Sequence, residues 1–90
     1  MGGDRLNSQT TIQFNIRKDP EEEMRKILLE VHSALAERGL NPISQIVGYI
    51  LSEDPTYITT HNNARSLVRR IDRDELLQVL VRDYIQKEEQ

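Results

Sequence analysis

The chain has 90 residues, no cysteine and a formal net charge of −3. This length makes one domain, and such a domain buries only about two-thirds of the surface of its unfolded chain. The lack of cysteine excludes disulfides and thiolate metal sites, and the acidic balance gives no general attraction for nucleic acid. No apolar run approaches the roughly 18 residues of a membrane span, so we expect no membrane insertion, and the absence of cysteine suits a reducing cytosol.

The N-terminal region divides into two parts. Residues 1–10 are predicted to be a flexible tail, because they have almost nothing apolar to bury. After them Ile12, Phe14 and Ile16 alternate with polar residues, which is the period of a half-buried strand. This segment either pairs with its own copy across a dimer axis or lies extended over helices with Phe14 as the anchor. Residues 11–86 are then one helical domain, and residues 87–90 should fray.

A first helix is predicted to begin at Asp19 and Pro20, because Asp caps helices and Pro suits the first helical position. Three carboxylates follow at 21–23, where the helix dipole favours negative charge. Gly39 is placed to end the helix in a left-handed conformation. The predicted buried stripe is Met24, Ile27, Leu28, Val31, Ala34 and Leu35.

The most apolar part of the chain, residues 41–58, predicts a central helix. Asn41 and Pro42 mark its start, and Asp54 and Pro55 mark its exit, because a residue before proline is disfavoured in the helical region. Five aliphatic side chains recur at helical spacing, and we expect neighbouring helices or a second subunit to bury them. This proposed core or dimer seam consists of Ile43, Ile46, Val47, Ile50 and Leu51.

The C-terminal third predicts a helix through Ala64 and Ile71, followed by another helix that Asp72 caps. One continuous helix over residues 65–85 is the alternative. The buried side of the last helix is predicted to comprise Leu76, Leu77, Leu80 and Tyr84, with Val81 and Ile85 as further candidates.

Arg65, Arg69 and Arg73 recur every four residues, with Arg70 beside them. On a continuous helix they would form a basic stripe that could grip phosphate in a forked geometry. Its ligand would be a phosphorylated tail, an acidic partner or a nucleic-acid backbone. The alternative is a solvated face balanced by neighbouring carboxylates.

No catalytic or metal-binding set is evident. His32 and His61 are far apart in sequence, and neither a paired-histidine spacing nor a nucleophile motif accompanies them. We therefore expect no enzymatic activity, no cofactor and no metal.

Three blocks of the sequence resemble the IreB family of small bacterial regulatory phosphoproteins: NPISQIVGYILSEDPTYI, HNNAR and RRIDRDELLQVLVRDYI. The resemblance implies an all-helical homodimer that acts in signalling downstream of a membrane Ser/Thr kinase. It also implies phosphorylation of threonines in the N-terminal segment. Thr11 matches one family position, whereas the other falls on Ser8, and Thr10 is a neighbouring hydroxyl.

Together these observations predict a small all-α bundle of four to five short helices that forms a homodimer. The resemblance implies a cytoplasmic signalling regulator in the response to cell-envelope stress or cell-wall antibiotics, and we expect it to be non-enzymatic. Its partners would be a Ser/Thr kinase, a second copy of itself and an unknown protein effector. The alternative is a nucleic-acid-associated adaptor that uses the stripe from Arg65 to Arg73.

Overall fold

The computed structural model describes residues 19–87, which contain four α-helices and no strand. The helices are α1 (Pro20–Glu37), α2 (Pro42–Ser52), α3 (Ala64–Val68) and α4 (Arg73–Gln86), and two short 3₁₀ turns (Pro55–Tyr57 and His61–Asn63) lie between α2 and α3. The predicted all-helical fold is confirmed over this range. The tail, the alternating segment and the acceptors Ser8 and Thr11 lie outside the described residues.

The helix starts follow the capping residues that the sequence predicts. Asp19 accepts a hydrogen bond from the Glu21 backbone N–H at 3.0 Å, and Asn41 accepts one from the Ser44 N–H at 3.0 Å. Asp72 accepts from two backbone N–H groups of the first turn of α4. Each cap satisfies donors that a helix start leaves without a partner inside the helix.

Helix α1 ends at Glu37, and Gly39 follows in the predicted left-handed conformation, with a φ of +77°. The Leu40 N–H reaches back to the Leu35 carbonyl at 3.0 Å, which closes the turn that a left-handed residue permits. The chain then turns directly into α2, and α1 packs against α2, α3 and α4. Helix α1 is therefore the element around which the others assemble.

The core lies on one side of α1. Val31, Ala34 and Leu35 have no exposed surface, and Ile58 and Ala64 from the following segments are also fully covered. The predicted stripe of α1 is confirmed, with Leu28 only partly buried.

The C-terminal region contains two separate helices, so the alternative of one continuous helix is wrong. Helix α3 stops at Val68, and residues 69–72 form a turn in which Ile71 is buried. The cap at Asp72 competes with helix continuation, because its backbone is extended and its side chain already serves the next helix. The direction of the chain changes between the two helices.

Candidate functional site

An open apolar groove lies between α1, α2 and α4 and encloses about 700 Å³. Its floor includes the buried side chains of Met24, Ile50 and Leu76. Its walls include exposed aliphatic side chains from all three helices. These wall residues are Leu29 from α1, Ile43 and Val47 from α2, and Leu80 from α4.

The prediction that the apolar stripe of α2 is buried is wrong for most of its residues. Neighbouring helices were expected to bury it, but Ile43 is 62% exposed, Val47 is 45% exposed and Leu51 is 80% exposed. Only Ile50 is buried, and Ile46 is partly buried against the core. The physical reason is that α1 covers only one edge of the stripe, while α4 makes few contacts with α2 and leaves the other edge open. A role for this stripe as a subunit seam stays a prediction.

The predicted buried face of α4 is also wrong for most of its residues. Leu76 is its one buried side chain, and Val79 packs against the core, although the sequence did not single out Val79. The remaining predicted members of its buried face are exposed, and Tyr84 is 78% exposed. These exposed side chains form an outer row on α4: Leu77, Val81, Tyr84 and Ile85.

The rim of the groove carries more carboxylates than guanidinium groups. Asp19, Glu22 and Asp83 line it together with Arg25. A surface that is apolar inside and charged at the edge is typical of a binding site rather than of an ordinary exposed face.

Glu21 at the same end of the groove is held by Arg82 from α4. The guanidinium donates to both carboxylate oxygens, at 2.8 and 3.0 Å. This forked hydrogen bonding lowers the pKa of Glu21 and raises the pKa of Arg82. The pair joins the start of α1 to the C-terminal half of α4, so it helps to fix the width of the groove.

Gln45 and Gly48 of α2 both contact the turn that follows this helix, beside the groove. These contacts explain why these two residue types, which helical periodicity does not require, occur here. The Gln45 side chain donates to the Tyr57 carbonyl oxygen at 2.8 Å. The Tyr57 ring lies directly on Gly48, where a Cβ atom would collide with it. The absence of a side chain at position 48 therefore makes room for this ring. The signal in the sequence was a glycine within the helix, where helix propensity disfavours it.

Asp54 fixes the start of the same turn. It accepts hydrogen bonds from the hydroxyl and the backbone N–H of Thr56, at 2.7 and 3.0 Å. These bonds lower the pKa of Asp54. The turn therefore presents Ile58 to the core in a defined orientation.

The structure separates the arginines of the proposed basic stripe. Arg65 donates to the Ile58 carbonyl oxygen at 2.8 Å, and Arg73 donates to the Ile50 carbonyl oxygen at 3.0 Å. Arg73 also forms an ion pair with Glu53 at 2.6 Å. Both guanidinium groups hold chain segments together, and this use competes with phosphate binding.

Arg69 and Arg70 lie in the turn between α3 and α4 and are exposed. Arg70 pairs with Glu23 of α1 at 3.2 Å. Because the helix is interrupted here, the four arginines do not form the continuous stripe that the four-residue spacing predicted. Contact of Arg69 or Arg70 with a partner stays a prediction.

The two histidines lie apart. His32 is exposed and lines the groove, whereas the His61 Nε2 atom is 2.7 Å from a Glu37 carboxylate oxygen. Within residues 19–87, no group of three or more His, Asp or Glu side chains is arranged to hold a metal ion. Across the same range no helix has the length and apolarity that crossing a membrane requires.

Comparison with known proteins identifies similar sequences. A family model described as IreB regulatory phosphoprotein matches residues 9–86. A UPF0297 protein from Acetivibrio thermocellus is 50% identical over 82 residues, which cover 91% of this chain and 91% of the relative. A UPF0297 protein from Ruminiclostridium cellulolyticum is 54% identical over 76 residues, which cover 84% of this chain and 86% of the relative.

Proposed function

We propose that this chain, which belongs to the IreB regulatory phosphoprotein family, is a non-enzymatic cytoplasmic regulator that acts through protein–protein contacts. A membrane Ser/Thr kinase phosphorylates its N-terminal segment, with Thr11 as the main acceptor and Ser8 as a second acceptor. The signal belongs to the response to cell-envelope stress or cell-wall antibiotics.

The family membership carries this proposal, because the family is described as regulatory and phosphorylated. The groove supports it independently. It is an apolar surface with a charged rim, and such surfaces on small domains serve recognition. Phosphate on a hydroxyl adds nearly two negative charges and three acceptor oxygens, which is enough to change how a segment binds a nearby surface.

We further propose that the protein is a symmetric homodimer. The outer row of α4, together with Leu51, leaves several large aliphatic and aromatic side chains in solvent. A stable dimer buries about 800 Å² per partner, and a helix face is convex, so it can meet its own copy across a two-fold axis. Sedimentation at micromolar concentration tests this. Tyr84→Asp should give monomers, and wild-type protein that sediments as a monomer would contradict the proposal.

The phosphorylation proposal is tested with the full chain, a purified bacterial Ser/Thr kinase domain and ATP. Mass mapping should place phosphate on Thr11, and Thr11→Val should remove most of the label. An inactive kinase is the control for contaminating activity, and Ser8→Ala measures the share of the second acceptor. Label absent from Ser8, Thr10 and Thr11 would overturn the proposal.

A further inference from the structure

We propose that the groove between α1, α2 and α4 is the docking site for residues 12–16 of the same chain. Ile12, Phe14 and Ile16 would insert their side chains between the walls formed by Ile43 and Leu80. The inference rests on the shape and chemistry of the groove and on the point at which the chain enters α1.

The chain enters the described structure at the end of the groove. Asp19 lines the groove and has an extended backbone, with φ −62° and ψ 122°. The stretch from Ile12 to Asp19 spans about 23 Å when extended. Along α1, the groove runs from Asp19 to His32, a rise of about 20 Å. The segment can therefore fold back at Asp19 and lie along the whole groove.

The chemistry of the segment matches the groove. In an extended chain, alternate residues point to one side, so Ile12, Phe14 and Ile16 share a face. That face is wholly apolar, like the floor of the groove. Arg17 and Lys18 would lie at the end where Asp19 and Glu22 contribute negative charge. Both the apolar and the charged parts of the segment are therefore complementary to the groove.

A second copy is a poorer occupant than this segment. A two-fold axis brings the same surface of both copies together, and a concave groove that meets its own copy leaves a void unless a convex element fills it. The outer row of α4 offers a convex surface outside the groove. A single extended segment tethered at Asp19 has the width that a groove between helices admits, and the tether raises its effective concentration.

Docking has a consequence that rests on the proposed function. A kinase must hold Thr11 in an extended segment, and it cannot do so while the adjacent Ile12 lies in the groove. Phosphorylation of Thr11 then occurs from the undocked state. A phosphate beside Ile12 adds nearly two negative charges that must stay hydrated, so phosphorylation weakens docking against the apolar wall and leaves the groove open to an effector.

A photo-cross-link tests the docking. Phe14 is replaced with p-benzoylphenylalanine in the full chain, and the irradiated protein is digested and mapped. We expect cross-links to groove residues such as Met24, Val47 or Leu80. An equal mixture of isotopically light and heavy protein, unfolded together in urea and refolded so that any dimers contain both forms, identifies the chain that is bound. Cross-links that join only light to light and heavy to heavy support docking within one chain, whereas light-to-heavy products at the groove overturn it in favour of a second copy.

A second measurement uses methyl NMR of the full chain and a matched pair of variants. Phe14→Ala should shift the methyl signals of Ile43 and Leu80 and lower the ratio of docked to undocked protein by about tenfold. Gln13→Ala, on the opposite side of the extended segment, should leave them in place. Groove signals that are the same in wild type and Phe14→Ala would overturn the proposal.

The kinase provides a readout that separates the two proposals. Phe14→Ala should raise the initial rate of Thr11 phosphorylation in the full chain, in proportion to the docked fraction. A peptide of residues 7–18 reports any direct effect of the substitution on the kinase, because it has no groove. Cross-links at the groove without phosphate on Thr11 would remove only the phosphorylation proposal, whereas phosphate without the cross-links would remove only the docking.

Discussion

The effect of Gly48→Ala on the free energy of unfolding is predicted to depend on the residue at position 57. The substitution should destabilise the protein when Tyr57 is present and stabilise it when the Tyr57 ring is removed. A glycine in the middle of a helix normally destabilises it, so alanine should add about 0.5–1 kcal/mol to the free energy of unfolding. At this position, however, the new Cβ atom would collide with three atoms of the Tyr57 ring. The ring must then move away from α2.

The cost of that movement follows from what the ring covers. Tyr57 is 39% exposed, so about 100 Å² of its surface is covered. Removing the ring from this site costs up to about 2.5 kcal/mol at 25 cal/mol per Å². Loss of the bond from Gln45 to the Tyr57 carbonyl oxygen adds about 1 kcal/mol. After the gain in helix propensity, Gly48→Ala should lower the free energy of unfolding by about 1–3 kcal/mol.

A double-mutant cycle in urea, followed by far-UV circular dichroism at one protein concentration, tests this reasoning. In the Tyr57→Ala background the collision is absent, so Gly48→Ala should instead stabilise by about 0.5–1 kcal/mol. If Gly48→Ala stabilised the protein equally in both backgrounds, the ring would not lie on Gly48. Equal destabilisation in both backgrounds would place the collision with another group.

Three further predictions concern the core, the backbone and pH. In the Tyr84→Asp background, which should be monomeric, Ile58→Ala should lower the free energy of unfolding by about 2–5 kcal/mol. In the same background Leu51→Ala should change it by no more than about 0.5 kcal/mol. Similar losses in urea unfolding would mean that the core is misassigned. Asn62 has a φ of +54°, so Asn62→Ala should lower the free energy of unfolding by about 1 kcal/mol and Asn62→Gly by much less. Equal losses in urea unfolding would mean that the Asn62 side chain stabilises the fold, and not the tolerance of its backbone for this conformation. Arg82 lowers the pKa of Glu21 from 4.5, so this ion pair should stabilise the fold above about pH 4.5 and lose that effect as the pH falls through the lowered pKa. The urea midpoints of wild type and Glu21→Gln should therefore converge at acid pH. A difference between the midpoints that stays constant with pH would contradict the role of the charge.

The sequence predicts the helix boundaries well because local chemistry sets them. The caps at Asp19, Asn41 and Asp72 and the left-handed Gly39 need only a few neighbouring residues, and each is found as expected. The buried stripe of α1 is also predictable, since α1 is covered by three other elements and its apolar side chains meet them. The local capping signals and the contact surface of α1 therefore make most of the fold predictable from the sequence.

The apolar stripes of α2 and α4 could not be assigned from periodicity. A stripe indicates that side chains avoid water, but it does not say whether the cover comes from the same chain, another segment or a second protein. Val47 and Leu80 have the same pattern as core residues and yet face an open groove. The spacing of the arginines was equally ambiguous, because whether they share one face depends on whether the helix continues past Val68.

Modification of the N-terminal segment is proposed to change the surface of the groove. Methyl NMR of the full chain, before and after phosphorylation of Thr11, is the decisive test. We predict that signals of groove residues such as Ile43 and Leu80 move, while those of Val31 and Ile58 in the core stay in place. Identical spectra for the two forms would contradict it, because the phosphate would then leave the helical domain unaffected.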